Sequence, residues 1–166
     1  MVRLALYQPD IPQNMGTLLR FGACLNVPVD VIGPTGFDMS DRSLKRAAMD
    51  YITRSDLTRH ISFDRFLDSD QRKSGRLILS TTKATTNYTD FEFQQGDIIL
   101  LGRESSGVPE HVVQASDAQI KIPMARDVRS LNIAVAGAMI IGEALRQTGY
   151  FDDRTGSEAS VSDKTA

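Results

Sequence analysis

Leu101-Gly102-Arg103-Glu104-Ser105-Ser106-Gly107-Val108-Pro109 connects a predicted strand to a predicted helix. The Ile- and Leu-rich run Asp97–Leu101 predicts a buried strand before it, and proline in the first turn is typical of the helix predicted over Pro109–Ala115. The two glycines allow a tight turn and a close approach of a ligand to the backbone. Glu104 is therefore either a ligand contact at the end of a strand or simply a carboxylate that a helix dipole stabilises.

The same alternation of strand and helix continues on both sides of this segment. Because strands separated by helices pair in parallel, the chain is predicted to be an α/β protein with a mainly parallel sheet flanked by helices. The predicted strands are Val2–Tyr7, Val29–Ile32, a brief Tyr51–Thr53, Arg76–Thr81 and Gln119–Ile122. The other predicted helices are Asn14–Asn26, Arg42–Ala48, Phe63–Leu67 and Leu131–Thr148.

Composition and charge divide the chain into a body and a tail. The 166 residues are 41% hydrophobic and 24% charged, which excludes a wholly disordered chain. The net charge of −2 arises entirely in residues 151–166, which hold four of the 21 acidic but only two of the 19 basic residues. We expect one domain over residues 1–150 and a disordered polar tail over 151–166.

Residues 42–60 form a basic stretch within the neutral body, with five Arg or Lys against two Asp. Nucleic-acid binding depends mainly on phosphate contacts and needs only a local positive field, so this stretch is the candidate nucleic-acid-binding region. A solvated helix face is the simpler interpretation. The candidates are Arg42, Lys45, Arg46, Arg54, Arg59 and His60.

Several classes of protein lack support in the sequence. A single cysteine, Cys24, cannot form an internal disulfide, and two histidines are too few for an ordinary metal site, so no metal is expected. The longest apolar run is shorter than a membrane span, and the chain is expected to be cytoplasmic. No dinucleotide fingerprint, P-loop or nucleophile elbow occurs.

The helix predicted over Leu131–Thr148 has apolar residues around nearly all of its circumference. A helix of this kind must be buried on all sides. Either it lies at the centre of the core, or a partner chain covers the side that the sheet leaves open.

Two further segments concentrate polar and small residues at helix starts. Pro9–Arg20 carries two stiffening prolines and Asn14, which is expected to cap the first helix. Ile122–Asn132 leads from a strand into the last helix, with Ser130 as the expected cap. Ordinary capping and a solvent-facing Arg20 are the simpler interpretation of both.

Taken together, the three segments resemble the three motifs of the SPOUT-class (SpoU/TrmH-like) RNA 2′-O-methyltransferases. The strings are P-x-x-P-x-N-x-G-x-x-x-R at Pro9–Arg20, G-x-E-x-x-G-V-P at Gly102–Pro109, and I-P-M followed by S-L-N up to Asn132. The length and a Thr81-Thr82-Lys83 match make residues 1–150 similar to the minimal members that act on the tRNA wobble nucleotide.

This resemblance implies a C-terminal trefoil knot, bound S-adenosylmethionine and a homodimer formed through the first and last helices. The implied reaction is methylation of the ribose 2′-OH at nucleotide 34, a cytidine or modified uridine, in the anticodon stem-loop of tRNA, with leucine tRNAs as the expected substrates. Another tRNA or rRNA site, or a non-catalytic knotted RNA-binding protein, is the alternative. A departure from the pattern is Gly142, where family members often have Tyr.

The resemblance also assigns residues. Gly102 is expected to be small because a side chain would collide with the cofactor. In the family, the residue that corresponds to Arg20 is assigned the role of deprotonating the ribose 2′-OH. A guanidinium is equally well suited to orient the phosphate and the hydroxyl and to stabilise the developing negative charge. The implied catalytic residues are Asn14, Arg20, Ser130 and Asn132. The implied cofactor contacts are Ser80, Thr81, Leu101, Gly102, Glu104, Gly107, Ile122, Met124, Ser130 and Leu131.

Overall fold

The computed structural model describes residues 1–40, 42–48, 51 and 55–152. Seven strands and six helices are found among them. The strands are β1 (Arg3–Tyr7), β2 (Val29–Ile32), β3 (Leu57–His60), β4 (Leu77–Ser80), β5 (Thr86–Asn87), β6 (Ile98–Leu101) and β7 (Ala118–Lys121). The helices are α1 (Pro12–Leu25), α2 (Arg42–Ala48), α3 (Phe63–Leu67), α4 (Asp70–Lys73), α5 (Glu110–Gln114) and α6 (Ile133–Gln147).

The strands form one sheet in the order β3-β2-β1-β6-β4-β7-β5, and every pair in it is parallel. The predicted α/β class and parallel sheet are confirmed. Parallel pairing directs the carboxyl ends of β4, β6 and β7 to the same edge of the sheet, where the loops that follow them meet.

Both faces of the sheet are covered by helices, as its apolar strands require. Leu4 and Leu6 of β1 belong to one core cluster together with buried residues of α1, α2 and α6. Ala5 and Tyr7, which alternate with them, belong to a second cluster with residues of α3 and α5. The period-two alternation of a strand therefore divides the core into two layers.

Two predicted helix caps are wrong. The rigid φ of Pro12 begins α1, so Asn14 lies inside the helix and its side chain is free for other contacts. The last helix begins at Ile133, and its cap is Asn132 rather than Ser130. The Asn132 Oδ1 accepts hydrogen bonds from the backbone N–H groups of Ala134 and Val135 at 2.9 and 3.3 Å.

Some short elements differ from the prediction. The sequence did not predict β3, α4 or β5, whose two to four residues are too short for a periodic pattern. Tyr51 does not belong to a strand, and the remainder of the predicted strand Tyr51–Thr53 lies outside the described residues. Residues 153–166 also lie outside them, so the disordered tail and the 1–150 domain boundary stay predictions. The C-terminal knot stays a prediction as well.

Within a single chain, α6 is buried on only one side. Ile140, Ile141 and Ala144 are inaccessible, but Val135 and Met139 keep 49% and 39% of their surface exposed. Gly137 lies against α1 and β6, since an added Cβ would be 2.9 Å from side-chain atoms of Leu18 and Leu101. The interpretation of α6 as a fully enclosed core helix is therefore wrong. Among the described residues, no helix is long and apolar enough to cross a membrane.

Candidate active site

A cavity of about 460 Å³ opens at the carboxyl edge of β4 and β6, between the loops that follow β4, β6 and β7. Every residue assigned as a cofactor contact lies in its wall. They are Ser80, Thr81, Leu101, Gly102, Glu104, Gly107, Ile122, Met124, Ser130 and Leu131. The structure thus brings together residues from the three loops, which are far apart in sequence.

A chain of hydrogen bonds crosses one side of this cavity. The Asn132 Nδ2 donates to the Asn14 Oδ1 at 2.9 Å, and the Asn14 Nδ2 donates to the Glu104 Oε1 at 3.2 Å. The backbone N–H of Asp10 donates to the other Glu104 oxygen at 2.8 Å. The side-chain amides of Asn14 and Asn132 are therefore each oriented by a hydrogen-bonded neighbour. The segments after β1, β6 and β7 together present one fixed set of polar groups to the cavity. Ser130 also lines the cavity, with its side chain exposed.

Arg20 is not brought into this group. It lies six residues after Asn14, about 9 Å further along α1 and about 240° around its axis. Its side chain is exposed, and the guanidinium lies 5.5 Å from the centre of the Tyr51 ring. Within one chain, Arg20 therefore does not line the cavity that holds Asn14, Ser130 and Asn132.

Sequence reasoning did not assign two arginines and an aspartate at this site. Arg103 and Arg129 both line the cavity. Asp10 accepts hydrogen bonds from the Arg103 side chain, and these bonds, with those from Ser105, lower the pKa of its carboxyl from 3.8 to about 2. All three residues lie within the quoted motifs. Their position in these motifs was the one sign in the sequence that they belong to the site. The contact itself could not be predicted, because Asp10 and Arg103 are 93 residues apart.

Gly102 must be small for a reason that lies within the loop itself, and the expected clash with the cofactor stays a prediction. A Cβ at this position would lie 2.8 Å from the carbonyl carbon and 3.0 Å from the Cα of Gly107. The backbone of residues 103 and 107 closes the loop with two hydrogen bonds of 2.9 Å. The first clash is therefore with the loop itself, and glycine is what lets the loop close.

The basic stretch is divided by the structure. Three of its candidates lie exposed on α2, and Arg59 lies exposed on β3. His60 was predicted to face RNA, and this is wrong, because its side chain is only 7% exposed and its Nε2 lies 2.8 Å from the buried carboxylate of Asp30. Arg54 lies outside the described residues. The exposed candidates on α2 are Arg42, Lys45 and Arg46.

The cavity fits a ligand of the size and mixed polarity of S-adenosylmethionine. Its volume lies within the usual range for small-molecule sites. Leu79, Leu101 and Ile122 offer apolar surface for an aromatic base, and Ser80 and Thr81 offer hydroxyl groups at the strand ends. Among the described residues, there is no cluster of three or more His, Cys, Asp or Glu that could hold a metal.

Fold and site together define a parallel α/β protein with a cavity of small-molecule size at the carboxyl ends of its strands. Comparison with known proteins gives the family. The model of the SpoU rRNA Methylase family matches residues 1–142. A tRNA (cytidine(34)-2′-O)-methyltransferase from Beijerinckia indica is 55% identical over 146 residues, which cover 88% of this chain and 91% of the relative. The chain belongs to the SpoU methylase family.

Solved structures agree with this assignment. One that concerns the 2-OH methylation of C/U34 on tRNA is similar with a TM-score of 0.83 at 41% identity, over 89% of this chain and 95% of that chain. The SpoU methyltransferase AviRb from Streptomyces viridochromogenes, in complex with AdoMet, gives 0.80 at 25% identity over 89% of this chain and 57% of its own. The resemblance found in the sequence is confirmed.

Proposed function

We propose that this protein transfers a methyl group from S-adenosylmethionine to the ribose 2′-OH of the wobble nucleotide, position 34, of tRNA. The observation that carries the proposal is the hydrogen-bonded series Glu104–Asn14–Asn132 along a cavity of cofactor size. The relative from Beijerinckia indica, named for cytidine 34 of tRNA, supports the choice of substrate. AdoMet bound to AviRb supports the choice of cofactor.

The cavity residues suit the work of holding a ribose for attack. S-adenosylmethionine supplies, when bound, an electrophilic methyl group. A neutral hydroxyl is a poor nucleophile and gains most from being held in line and from stabilisation of its developing charge. Ser130 and the Asn14–Asn132 pair offer neutral donors and acceptors for this purpose at one side of the cavity.

A homodimer through α1 and α6 explains the position of Arg20. Both helices lie on the same face of the sheet, and the exposed Val135 and Met139 of α6 leave an apolar strip beside α1. We assign Arg20 to the cavity of the second copy, because it does not reach the cavity of its own chain. An arginine side chain already carries its proton at neutral pH and has no free site to take another, so the role of Arg20 is to orient RNA and stabilise negative charge.

RNA binding is assigned to the exposed cations of the basic stretch. Arg42, Lys45 and Arg46 share one short helix, α2, which packs against α1 near Gly16. That contact places α2 beside the helix that carries Asn14 and Arg20. Phosphate contacts from these residues predict an affinity for tRNA that falls steeply with salt. We place the protein, as an enzyme of tRNA processing, in the cytoplasm.

The decisive experiment measures methyl transfer from labelled S-adenosylmethionine to purified tRNA, with mapping of the product. We expect a 2′-O-methyl group at nucleotide 34. The matched control is the same tRNA with a 2′-deoxy nucleotide at position 34, which lacks the acceptor and should take up no label. An unmodified leucine tRNA is the first substrate to use, followed by other isoacceptors.

Other products of the experiment would change the assignment. Label at another ribose of tRNA, or in ribosomal RNA with none in tRNA, would contradict the wobble site and keep the reaction. Binding of tRNA and S-adenosylmethionine with no transfer to any RNA would contradict the enzymatic function.

A further inference from the structure

Asp10 makes an unusual set of contacts for a residue outside the cavity wall. Its Oδ1 accepts hydrogen bonds from the Nε and an Nη of Arg103 at 3.1 and 2.7 Å. Its Oδ2 accepts hydrogen bonds from the backbone N–H and the Oγ of Ser105 at 3.1 and 2.5 Å. Its own N–H donates to Glu104. One residue of the β1–α1 loop therefore contacts three successive residues of the loop after β6.

The loop that Asp10 contacts is closed but attached at few points. Two backbone hydrogen bonds join residues 103 and 107 across its neck. Ser105 and Ser106, at its tip, are exposed. The two hydrogen bonds that close the loop do not fix the angle at which it leaves its strand. Charge-assisted hydrogen bonds to a carboxylate on another loop do fix that angle.

Asp10 is itself held from the other side. An added Cβ on Gly36 would lie 3.1 Å from the Asp10 Cα and 3.2 Å from its Oδ1, and the Gly36 N–H donates to the Pro9 carbonyl at 2.9 Å. The side chain of Asp10 is only 17% exposed as a result. It is packed between the turn after β2 and the cavity loop.

We propose that Asp10 is a positioning residue, which through Arg103 and Ser105 sets the orientation of the Gly102–Gly107 loop and so the shape of the cofactor cavity. The proposal rests on the proposed function of that cavity. Gly102, Arg103, Glu104 and Gly107 are the residues of this loop that line the cavity. Asp10 holds them in place without lining the cavity itself.

The test uses the full-length protein and measures S-adenosylmethionine binding by calorimetry, with tRNA KM as a second measurement. We expect Asp10→Ala to raise the Kd for S-adenosylmethionine about tenfold or more, since it removes four hydrogen bonds from the loop. The tRNA KM should change less than the Kd. Asp10→Asn keeps one acceptor oxygen but loses the charge, so its Kd should fall between those of Asp10→Ala and the wild type.

Two further variants separate this role from general stabilisation. The double variant Arg103→Met with Asp10→Asn should have a Kd for S-adenosylmethionine no higher than that of the weaker-binding single variant, because both substitutions remove the same ion pair. Arg146→Met removes the guanidinium of a comparable pair, Arg146–Glu143 on α6, and should leave the Kd unchanged. Hydrogen exchange gives a local readout, since the Ser105 amide should lose protection in Asp10→Ala.

Folded Asp10→Ala and Asp10→Asn proteins with a wild-type Kd for S-adenosylmethionine would overturn the proposal. So would a loss of affinity that Arg146→Met reproduces. If the wild-type protein itself failed to bind S-adenosylmethionine, the proposed function would fail instead, which keeps the two outcomes distinct.

Discussion

Asn132 and Asn14, 118 positions apart in sequence, are joined by a hydrogen bond of 2.9 Å between the Nδ2 of the first and the Oδ1 of the second. The same Asn132 side chain caps α6 through its Oδ1. One amide therefore uses its acceptor to begin the last helix and its donor to orient a cavity residue on the first. Stability and site geometry depend on different atoms of this side chain.

That division predicts different results for two substitutions at this position. Asn132→Ala should lose about 1 kcal/mol of unfolding free energy, because the cap disappears, and should also lose methyl transfer. Asn132→Ser keeps a capping oxygen but cannot reach Asn14, so it should retain the stability and lose the activity. Urea unfolding and a methyl-transfer assay measure the two effects. Full activity of folded Asn132→Ser would contradict the role of the contact.

Two glycines allow a matched test of whether an added methyl group is tolerated, one in the cavity loop and one in α6. Gly102→Ala should abolish S-adenosylmethionine binding, because the added methyl group meets the Gly107 backbone at 2.8 Å. Gly142→Ala, in the interior of α6 with nothing within 4 Å of the added Cβ, should instead stabilise the fold by about 0.5–1 kcal/mol. Calorimetry and thermal unfolding of both variants check this. Normal binding by Gly102→Ala would show that the loop can adjust.

The parallel sheet and the cavity loops could be predicted from sequence because their signals are local. An Ile- and Leu-rich strand followed by a glycine loop, as at Leu101–Gly107, marks both the strand and its carboxyl end. The helix caps were predicted less well. Ser130 and Asn132 are both good capping residues, and only the fold decides which of them begins α6.

Contacts between distant segments lay beyond the sequence. His60 has the same charge pattern as its exposed neighbours, but its side chain faces Asp30, itself buried, in the adjacent strand. The pairing of Asp10 with Arg103 likewise depends on two loops meeting at one edge of the sheet. The sequence shows where the charged residues are. Which of them form ion pairs depends on which strands and loops the fold brings together.

Acid should destabilise the protein through two carboxylates. Hydrogen bonds from Arg103 lower the pKa of Asp10 from 3.8 to about 2, and those from Arg146 lower the pKa of Glu143 from 4.5 to about 2. Since the folded state holds these protons more weakly than the unfolded state, the stabilisation is present above about pH 4.5 and is lost as the pH falls towards 2. Urea unfolding across this range should show it. Glu143→Gln should flatten the dependence, and an unchanged slope would contradict the assignment.

The apolar strip on α6 predicts a dimer that substitutions can break without unfolding the chain. Val135→Glu with Met139→Glu should give a folded monomer with little methyl transfer, because both side chains are exposed within one chain. Ile61→Glu is the control, since Ile61 is an exposed apolar residue, at 81%, outside α1 and α6. Sedimentation and circular dichroism distinguish a monomer from an unfolded chain. A Val135/Met139 variant that stays dimeric would contradict the proposed interface.

The assignment of Arg20 to the cavity of the second copy predicts complementation between two inactive proteins. Arg20→Ala and Ser130→Ala should each be inactive as homodimers. In a mixed dimer, one site would combine the intact Ser130 of one copy with the intact Arg20 of the other. Random exchange makes half of the dimers mixed, with one intact site in each, so activity should return to about a quarter of the wild-type value. If Arg20 instead serves its own chain, every site in the mixture carries one defect, and the mixture stays inactive.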